Sequence, residues 1–281
     1  MTIPRVLVIA GSDSGGGAGI QADIKTITML GGHATTAITA ITAQNTLGVT
    51  DVHAVPTAMV LAQIDAVLDD IGTDAVKIGM IGSARTAHAL AERLAGLDVP
   101  IVLDPVMVAT SGDMLADRGT IDAFARLLDI ATIATPNAPE LAALTGQPVT
   151  TMDEAVEAGK LLVARHGHAV VVKGGHIEAE FAGVPVIRDV LITTEGERAW
   201  SSARIDTVHT HGTGCTLASG IAAGLAAGLG AERSVSRARA YLRRALRVAP
   251  ELGQGSGPMG HALGVVPFDV IMPMEAPGRA G

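Results

Sequence analysis

The sequence predicts a doubly wound α/β fold built on a mostly parallel sheet, and two observations support this prediction. Short, continuously apolar runs alternate with longer segments of helical periodicity over most of the chain. Continuous apolar runs are typical of parallel strands that helices cover on both faces. Regular alternation of strands and helices favours crossover connections, which place helices on both sides of one sheet.

The predicted elements follow this alternation with one exception. The predicted strands are Arg5–Ala10, Ala37–Thr42, Ala75–Gly79, Ile101–Asp104, Thr132–Thr135, Ala169–Lys173 and Asp189–Thr194. The predicted helices are Ile20–Leu30, Thr57–Ile71, Ala84–Leu94, Thr120–Leu128, Pro139–Thr145, Asp153–Arg165, Thr216–Ala227 and Glu232–Val248. The exception is the segment 189–202, in which Glu195 and Gly196 separate two strand-like runs and predict a hairpin.

The chain is predicted to form one domain. Its 281 residues are 48% hydrophobic, which is enough to bury a large core, and no linker rich in Pro, Gly or Ser divides them. We therefore assign residues 1–266 to a single domain. Residues 267–281 are rich in Pro and Met without periodicity, which predicts a loose tail.

Charge and aromatic content exclude a protein that reads nucleic acid. The chain has 20 basic and 28 acidic residues, a net charge of −8, and only 2% aromatic residues. Proteins that follow a phosphate backbone need clustered Lys and Arg, and those that stack bases need aromatic side chains. We expect small-molecule ligands instead.

No segment predicts a membrane span or a signal peptide. The longest uncharged stretches, 31–50 and 208–231, are threaded with Thr, Gln and Asn or consist largely of Ala and Gly. In the second stretch, Gly220, Gly224 and Gly228 recur every four residues, and we interpret this spacing as a soluble helix lying close against a sheet. The chain has a single cysteine, which excludes an internal disulfide and predicts a cytoplasmic protein.

Two glycine-rich segments precede predicted helices. Residues 11–19 (GSDSGGGAG) follow the first strand, and residues 211–215 (HGTGC) precede the helix near Thr216. Backbone N–H groups at such helix starts favour anionic or polar ligands, and the second segment suits a phosphoryl group. The first segment lacks the spacing and the acidic partner of a dinucleotide fingerprint, and the chain has no Walker A sequence. Its ligand stays open at this point.

Cys215 has two interpretations. In the first turn of a helix, the dipole would lower the pKa of its thiol and make it a candidate base or nucleophile. A lone cysteine is also often a small buried hydrophobe. The residues alone leave both interpretations open.

Acidic and basic candidates stand at the ends of predicted strands. Asp104 ends one strand and Glu140 follows the next, where open parallel sheets bind ligands and where Mg²⁺ would find two carboxylates. Lys173 ends a third strand and is either a phosphate contact or a solvated lysine. The pairs His166/His168 and His209/His211 lack a third ligand at metal-site spacing, and we interpret them as surface or loop residues, the second pair flanking a nucleotide.

Together these motifs resemble a known family. Residues 11–23, 42–46 (TAQNT), 77–80 (KIGM), 103–107 (LDPVM), 135–140, 172–176 (VKGGH) and 211–215 occur in the order found in hydroxymethylpyrimidine/phosphomethylpyrimidine kinases of thiamine biosynthesis. The resemblance runs from about Val6 to about Gly264. It implies a ribokinase-like three-layer α/β/α sandwich, an ATP-dependent kinase with Mg²⁺, and a homodimer.

The resemblance also implies roles for individual residues. Gln44 would hydrogen-bond the aminopyrimidine edge, because an amide donates and accepts side by side. The other substrate contacts would be Met80, Val106, Gly11 and Asp23. ATP contacts would be Lys173, Asn137, Thr193 and His209, the metal-linked acids Asp104 and Glu140, and the anion hole Gly212, Thr213 and Gly214.

Three positions differ from what relatives carry: Cys215 differs from many ribokinase relatives, and Gly15 and Thr42 differ from the common residues of the resembled family. Cys215 occupies the place where many ribokinase relatives carry an aspartate base, and the thiolate would take or orient the substrate hydroxyl proton. Gly15 stands where relatives often have Ser. Thr42 replaces a commonly apolar residue beside the ring, which concerns fine specificity.

Alternative functions remain open on sequence grounds. A pyridoxal kinase of the same fold would share the phosphate motifs and differ in the ring pocket. A pyrimidine-binding protein without catalysis would keep the pocket alone. A nicotinamide-dependent oxidoreductase would need a dinucleotide fingerprint that the chain lacks.

Overall fold

Six parallel strands form the centre of the sheet in the computed structural model, which describes residues 2–107 and 117–263. The predicted tail at 267–281 lies outside the described residues. The strands are β1 Arg5–Asp13, β2 His33–Gln44, β3 Val49–Ala54, β4 Ala75–Ile78, β5 Ile101–Leu103, β6 Ile133–Ala134, β7 Ala169–Val172, β8 Glu180–Phe181, β9 Val184–Ile192 and β10 Glu197–Ala203. Their order across the sheet is β10-β9-β7-β6-β5-β4-β1-β2-β3, and β8 pairs with β9.

Two helical layers cover this sheet, as the predicted doubly wound fold requires. The helices are α1 Gly19–Met29, α2 Thr57–Asp70, α3 Ala84–Leu94, α4 Arg118–Leu128, α5 Ala138–Thr145, α6 Met152–His166, α7 Thr213–Ala226 and α8 Ala231–Arg247. Helices α2 to α6 pack into one hydrophobic core and α1, α7 and α8 into another. The three-layer α/β/α prediction is confirmed.

Strand β1 shows why the apolar runs are continuous. Leu7 and Ile9 belong to the core of the α2–α6 layer, whereas Val6 and Val8 belong to the core of the α1, α7 and α8 layer. Side chains of a strand alternate between faces, so both faces need apolar residues when helices cover both. All four side chains are fully buried.

The sheet is antiparallel at its two edges. Strand β3 pairs antiparallel with β2, and β9 pairs antiparallel with both β7 and β10. The predicted hairpin around residues 195–196 is therefore confirmed. The strand predicted at Asp189–Thr194 is real, but its direction is opposite to that of the parallel strands, and β3 and β8 were not predicted.

The glycine repeat of α7 serves helix packing. A Cβ atom at Gly220 would lie 2.8 Å from the Cβ of Ala238, and one at Gly224 would lie 2.6 Å from Oγ of Ser234. The close neighbour of these two glycines is thus α8, while the helix also packs against β1, β4 and β5, as the predicted contact with the sheet requires. Gly228, at φ +76°, follows the end of the helix. Within residues 2–107 and 117–263, no helix is both long and apolar enough to cross a membrane.

We expect Gly220→Val to destabilise the fold, because the added methyl groups would force α7 and α8 apart. Overpacking of this kind costs about 1–3 kcal/mol of unfolding free energy. Gly96→Val is the matched control, since nothing lies within 4 Å of a Cβ atom there. Urea denaturation checks the prediction, and equal midpoints for the two variants would contradict it.

Candidate active site

A cavity of about 1120 Å³ opens at the edge where the parallel strands end. Its lining includes the ends of β1 and β2, the loops after β4, β5, β6 and β7, parts of β9 and α8, and the first turn of α7. They include most of the candidates from the sequence: Gly11, Gln44, Met80, Asp104, Val106, Asn137, Glu140, Lys173, Gly212, Thr213, Gly214 and Cys215. The fold therefore gathers twelve of the fifteen predicted site residues around one space.

The first glycine loop is organised by the buried carboxylate of Asp13. Its oxygens accept backbone N–H groups from Gly15 at 2.7 Å, Gly17 at 3.0 Å and Ala18 at 2.8 Å. His211 Nε2 lies 2.8 Å from Oδ2. Burial alone would raise the pKa of Asp13, but the His211 and backbone hydrogen bonds outweigh it and hold that pKa below its usual value.

Two glycines allow close backbone contacts, one between this loop and the start of α7 and one within the loop itself. Gly212 has φ +85°, and a Cβ atom there would collide with the carbonyl oxygen of Gly17. Gly19 has φ +55°, and a Cβ atom there would collide with the carbonyl oxygen of Gly11. Only glycine satisfies both the conformation and the distance. The two glycine-rich segments of the sequence thus form one continuous wall.

Helix α7 begins at Thr213, three residues earlier than predicted. The first-turn N–H groups of a helix have no partner within the helix and are suited to an anion. Here the N–H of Thr213 donates to the carbonyl oxygen of Thr210 at 3.2 Å. A Cβ atom at Gly214 would lie 3.2 Å from Asp104 Oδ2 and 3.4 Å from Lys173 Nζ. Glycine at this position therefore brings the helix start against the charged groups of the strand ends.

The pKa of Cys215 departs from the sequence-based expectation. Burial raises it to about 11, and the positive charge of Lys77 opposes this only in part. The thiol is half-buried in the cavity wall and protonated at neutral pH. The prediction that the helix dipole gives a lowered pKa is wrong, because loss of hydration outweighs it.

Asp104, Glu140 and Lys173 form a buried charged cluster. Lys173 Nζ lies 2.8 Å from Asp104 Oδ1 and 3.6 Å from Glu140 Oε2. Thr135 donates its hydroxyl to the same Asp104 oxygen at 3.0 Å. Burial alone would lower the pKa of Lys173, but the two carboxylates raise it above its usual value and keep the ammonium charged.

Glu140 has a second role at the start of α5. Its side chain accepts the Asn137 N–H at 2.7 Å, and Asn137 Oδ1 accepts the Glu140 N–H at 2.9 Å, which forms a capping box. Burial raises the pKa of Glu140 to about 7, against the opposing effect of Lys173. The carboxyl group therefore titrates near neutrality.

The donor set fits a magnesium ion shared with substrate phosphates. Asp104 Oδ1 and Glu140 Oε2 hold the contacts above, so Oδ2 and Oε1 are the oxygens available to a cation. Mg²⁺ commonly uses one or two carboxylates together with phosphates and water. Across residues 2–107 and 117–263, no three or more His, Cys, Asp or Glu side chains form a cage for a metal by themselves.

The other end of the cavity suits a flat ring. A Cβ atom at Gly11 would lie only 3.0 Å from the sulfur of Met80. Glycine at this position therefore leaves room for the thioether. Gln44 stands opposite, with Oε1 3.1 Å from Thr42 Oγ1 and Nε2 3.4 Å from His211 Nε2. Val106 completes this part of the lining.

Asp23 does not line the cavity, in contrast to its predicted role as a substrate contact. Its fully buried carboxylate lies 2.8 Å from Lys77 Nζ and accepts the Ser219 hydroxyl at 2.6 Å. Burial alone would lower the pKa of Lys77, but the attraction of Asp23 raises it. The pair ties α1, β4 and α7 together beneath the cavity floor.

Thr193 and His209 also lie outside the cavity lining. Because β9 is antiparallel to β7, with Val170 opposite Ile192, Thr193 lies beside the start of β7 at the opposite edge of the sheet. This corrects its prediction as an ATP contact. The side chain of His209 packs against Gly257, where an added Cβ atom would lie 2.5 Å from Nδ1.

Asp13 and His211 are site residues that the sequence reasoning missed. His211 was interpreted as a surface or loop residue, yet it is 6% exposed and lines the cavity. A usable signal was present, since an aspartate directly before a glycine-rich loop often caps its backbone N–H groups. The partner of Asp13, 198 residues away, has no local signal.

We expect the stability of the protein to fall with rising pH through the titration of Glu140. Its pKa of about 7 lies above the unfolded value of 4.5, so the contribution is fully present below pH 4.5 and lost as pH rises through 7. Glu140→Gln keeps the capping box and removes this titration. Urea denaturation of both proteins from pH 5 to 8 measures the difference, and a constant difference would contradict the prediction.

Comparisons with known proteins identify the family of the chain. A family model described as phosphomethylpyrimidine kinase matches residues 13–260. The hydroxymethylpyrimidine/phosphomethylpyrimidine kinase of Streptomyces coelicolor is 44% identical over 263 residues, covering 93% of this chain and 95% of that protein. The thiamine biosynthesis bifunctional protein ThiED of Geobacter sulfurreducens is 45% identical over 260 residues, which are 92% of this chain; the chain spans about half (52%) of that protein's length.

A solved structure extends the likeness to the fold. The ADP complex of Bacillus subtilis pyridoxal kinase matches with a TM-score of 0.85 and 32% identity, covering 93% of this chain and 98% of that chain. This likeness confirms the ribokinase-like fold that the motifs implied. With the family match spanning nearly all described residues, the chain belongs to the phosphomethylpyrimidine kinase family.

Proposed function

We propose that the protein phosphorylates 4-amino-5-hydroxymethyl-2-methylpyrimidine and then its monophosphate, with ATP as phosphoryl donor, in thiamine biosynthesis. One observation carries the proposal: Gln44 and Met80 share a cavity with the first turn of α7, Cys215 and Lys173. The amide edge and thioether suit an aminopyrimidine, and the helix start suits a phosphoryl group. The Streptomyces coelicolor relative is named for both steps, which supports the proposal that this chain performs them.

Positioning and charge stabilisation would supply most of the catalysis. The transferred phosphoryl group spreads charge over three oxygens, and there is little covalent chemistry for the protein to perform. The backbone N–H groups at Gly212, Thr213 and Gly214 and the ammonium of Lys173 would bind these oxygens. Asn137 lines the same end of the cavity and would contact ATP.

Cys215 would handle the proton of the substrate hydroxyl. Its pKa of about 11 means that the thiol is protonated at pH 7, so only the minor thiolate form would accept the proton of the substrate hydroxyl and return to the thiol. Asp104 and Glu140 would hold Mg²⁺, which when bound neutralises phosphate charge. The remaining proposals from the sequence are a homodimer, a cytoplasmic location and no nucleic-acid or membrane partner.

A second candidate is phosphorylation of pyridoxal, favoured by the close fold likeness to a pyridoxal kinase. The phosphate end of the cavity would serve both reactions equally. The ring end distinguishes them, since Gln44 offers the adjacent donor and acceptor that an aminopyrimidine matches. A non-catalytic binding protein would not need the intact charged cluster at Lys173.

We expect purified protein with Mg-ATP to release ADP on hydroxymethylpyrimidine and on its monophosphate, with little release on pyridoxal. A coupled ADP assay with the three substrates side by side measures this. Preference for pyridoxal would keep the phosphate site and overturn the assignment of the ring end. Binding of the pyrimidine without ADP release would favour the non-catalytic protein.

We expect Cys215→Ala to lower kcat by roughly 10²–10⁴-fold with little change in KM, as for loss of a general base. Steady-state kinetics measures both constants. Because the thiolate is scarce below pH 11, kcat/KM of the wild type should also rise with pH between 7 and 10. Near-normal turnover of the variant would show that Cys215 only packs against its neighbours.

A further inference from the structure

The side-chain amide of Gln44 has two polar neighbours, Thr42 and His211, whose hydrogen-bonding roles are fixed by their other partners, Ser12 and Asp13. In the structure, Oε1 faces Thr42 Oγ1 at 3.1 Å and Nε2 faces His211 Nε2 at 3.4 Å. An amide can turn over about its last bond, which exchanges its oxygen and nitrogen without moving its plane. The neighbours therefore decide which way it binds.

On one side, His211 Nε2 must be a donor. It lies 2.8 Å from Asp13 Oδ2, and that carboxylate also accepts three backbone N–H groups, from Gly15, Gly17 and Ala18. An ionised carboxylate has no hydrogen to give, so the hydrogen belongs to His211. If Nε2 of Gln44 faced His211 Nε2, two donors would face each other. If Oε1 of Gln44 faces it instead, the hydrogen on His211 Nε2 gains a second acceptor.

On the other side, Thr42 must be an acceptor. Its Oγ1 lies 3.1 Å from the carbonyl oxygen of Ser12, which can only accept. A hydroxyl carries a single hydrogen, and donating it to Ser12 leaves the lone pairs of Oγ1 for a donor. Nε2 of Gln44 supplies that donor when the amide is turned over. Each hydrogen in the chain from Gln44 through Thr42 to Ser12 then has an acceptor.

We propose that Thr42 and His211 hold the Gln44 amide with Oε1 toward His211 and Nε2 toward Thr42, and that Thr42 is thereby a positioning residue that determines substrate specificity. This inference rests on the proposed function. The amide then presents a free acceptor on the His211 side and a free N–H on the Thr42 side.

This polarity orients the substrate. The exocyclic amine of a 4-aminopyrimidine donates and the adjacent ring nitrogen accepts, so the amine must lie on the His211 side. The hydroxymethyl group is on the ring carbon next to the amine and therefore also lies on that side, where Gly212 begins the wall formed by the start of α7. The opposite amide orientation would turn the hydroxymethyl group away from that helix start.

The test compares Thr42→Val with Thr42→Ser, because valine removes the hydroxyl and serine keeps it. Thr35→Val is the matched control: Thr35 lies on the same strand, β2, and its buried Oγ1 has no hydrogen-bond partner among the described residues. Substrates are the 4-aminopyrimidine alcohol and its 4-oxo analogue, which presents an acceptor and a ring N–H in the reverse order. Thermal unfolding confirms that each variant folds.

We expect Thr42→Val to raise KM for the aminopyrimidine up to about tenfold, as loss of one hydrogen bond allows, with kcat within about twofold. Its preference for the amino over the oxo substrate should fall, because the amide can then turn over. Thr42→Ser should restore both values, and Thr35→Val should match the wild type.

Two outcomes would overturn the inference alone: unchanged KM and unchanged preference in Thr42→Val, or a Thr42→Ser variant as impaired as Thr42→Val. Each of these two outcomes tests the inference separately from the proposed function when the wild type phosphorylates the aminopyrimidine. If the wild type phosphorylates neither pyrimidine, the proposed function fails and the inference fails with it. The two failures are therefore distinguishable in one set of measurements.

Discussion

The hydrogen bonds of Asp13 are the interaction on which the rest of the site depends. One buried carboxylate binds three N–H groups of the first glycine loop and the ring of His211, which directly precedes α7. It thereby fixes the end of β1 to the start of α7, two segments almost two hundred residues apart in sequence. A carboxylate bonded in this way stays ionised through burial, because every oxygen is satisfied. The backbone contact between Gly17 and Gly212 lies directly beside this anchor.

The buried charges near the cavity include a matched pair and an unmatched cluster of three. Lys77 and Asp23 are both fully buried, and their mutual contact satisfies them without a ligand. Lys173 is instead placed between two carboxylates at 2.8 Å and 3.6 Å, and one of these, Glu140, has a pKa near neutrality. A cluster with one excess negative charge favours a cation, whereas a matched pair does not. The chemistry of the cavity therefore depends on the unmatched cluster.

Much of this fold follows from the sequence, and the reasons for the misses are physical. Helix α3 has the predicted bounds, because its N-cap Ser83 and its apolar period are both local signals. The direction of a strand depends on its neighbours in the sheet and not on its own sequence. The apolar run before Thr193 would be the same in a parallel and an antiparallel strand. Thr193 was therefore predicted at the end of the sheet that forms the cavity, whereas it lies at the other end. Asp23 was predicted as a substrate contact because it belongs to a matching motif. Its carboxylate is instead buried against Lys77 and does not line the cavity. A motif match predicts which part of the fold a residue occupies, whereas the direction of its side chain depends on packing.

The pKa of the Cys215 thiol depends on the packing at the start of α7. Sequence position alone predicts acidification by the helix start, but the same close packing that excludes water around α7 raises its pKa instead. Gly214 brings the helix near Lys173 and Asp104, and Gly212 brings it against the backbone of Gly17. Close packing at the start of α7 therefore disfavours a free thiolate.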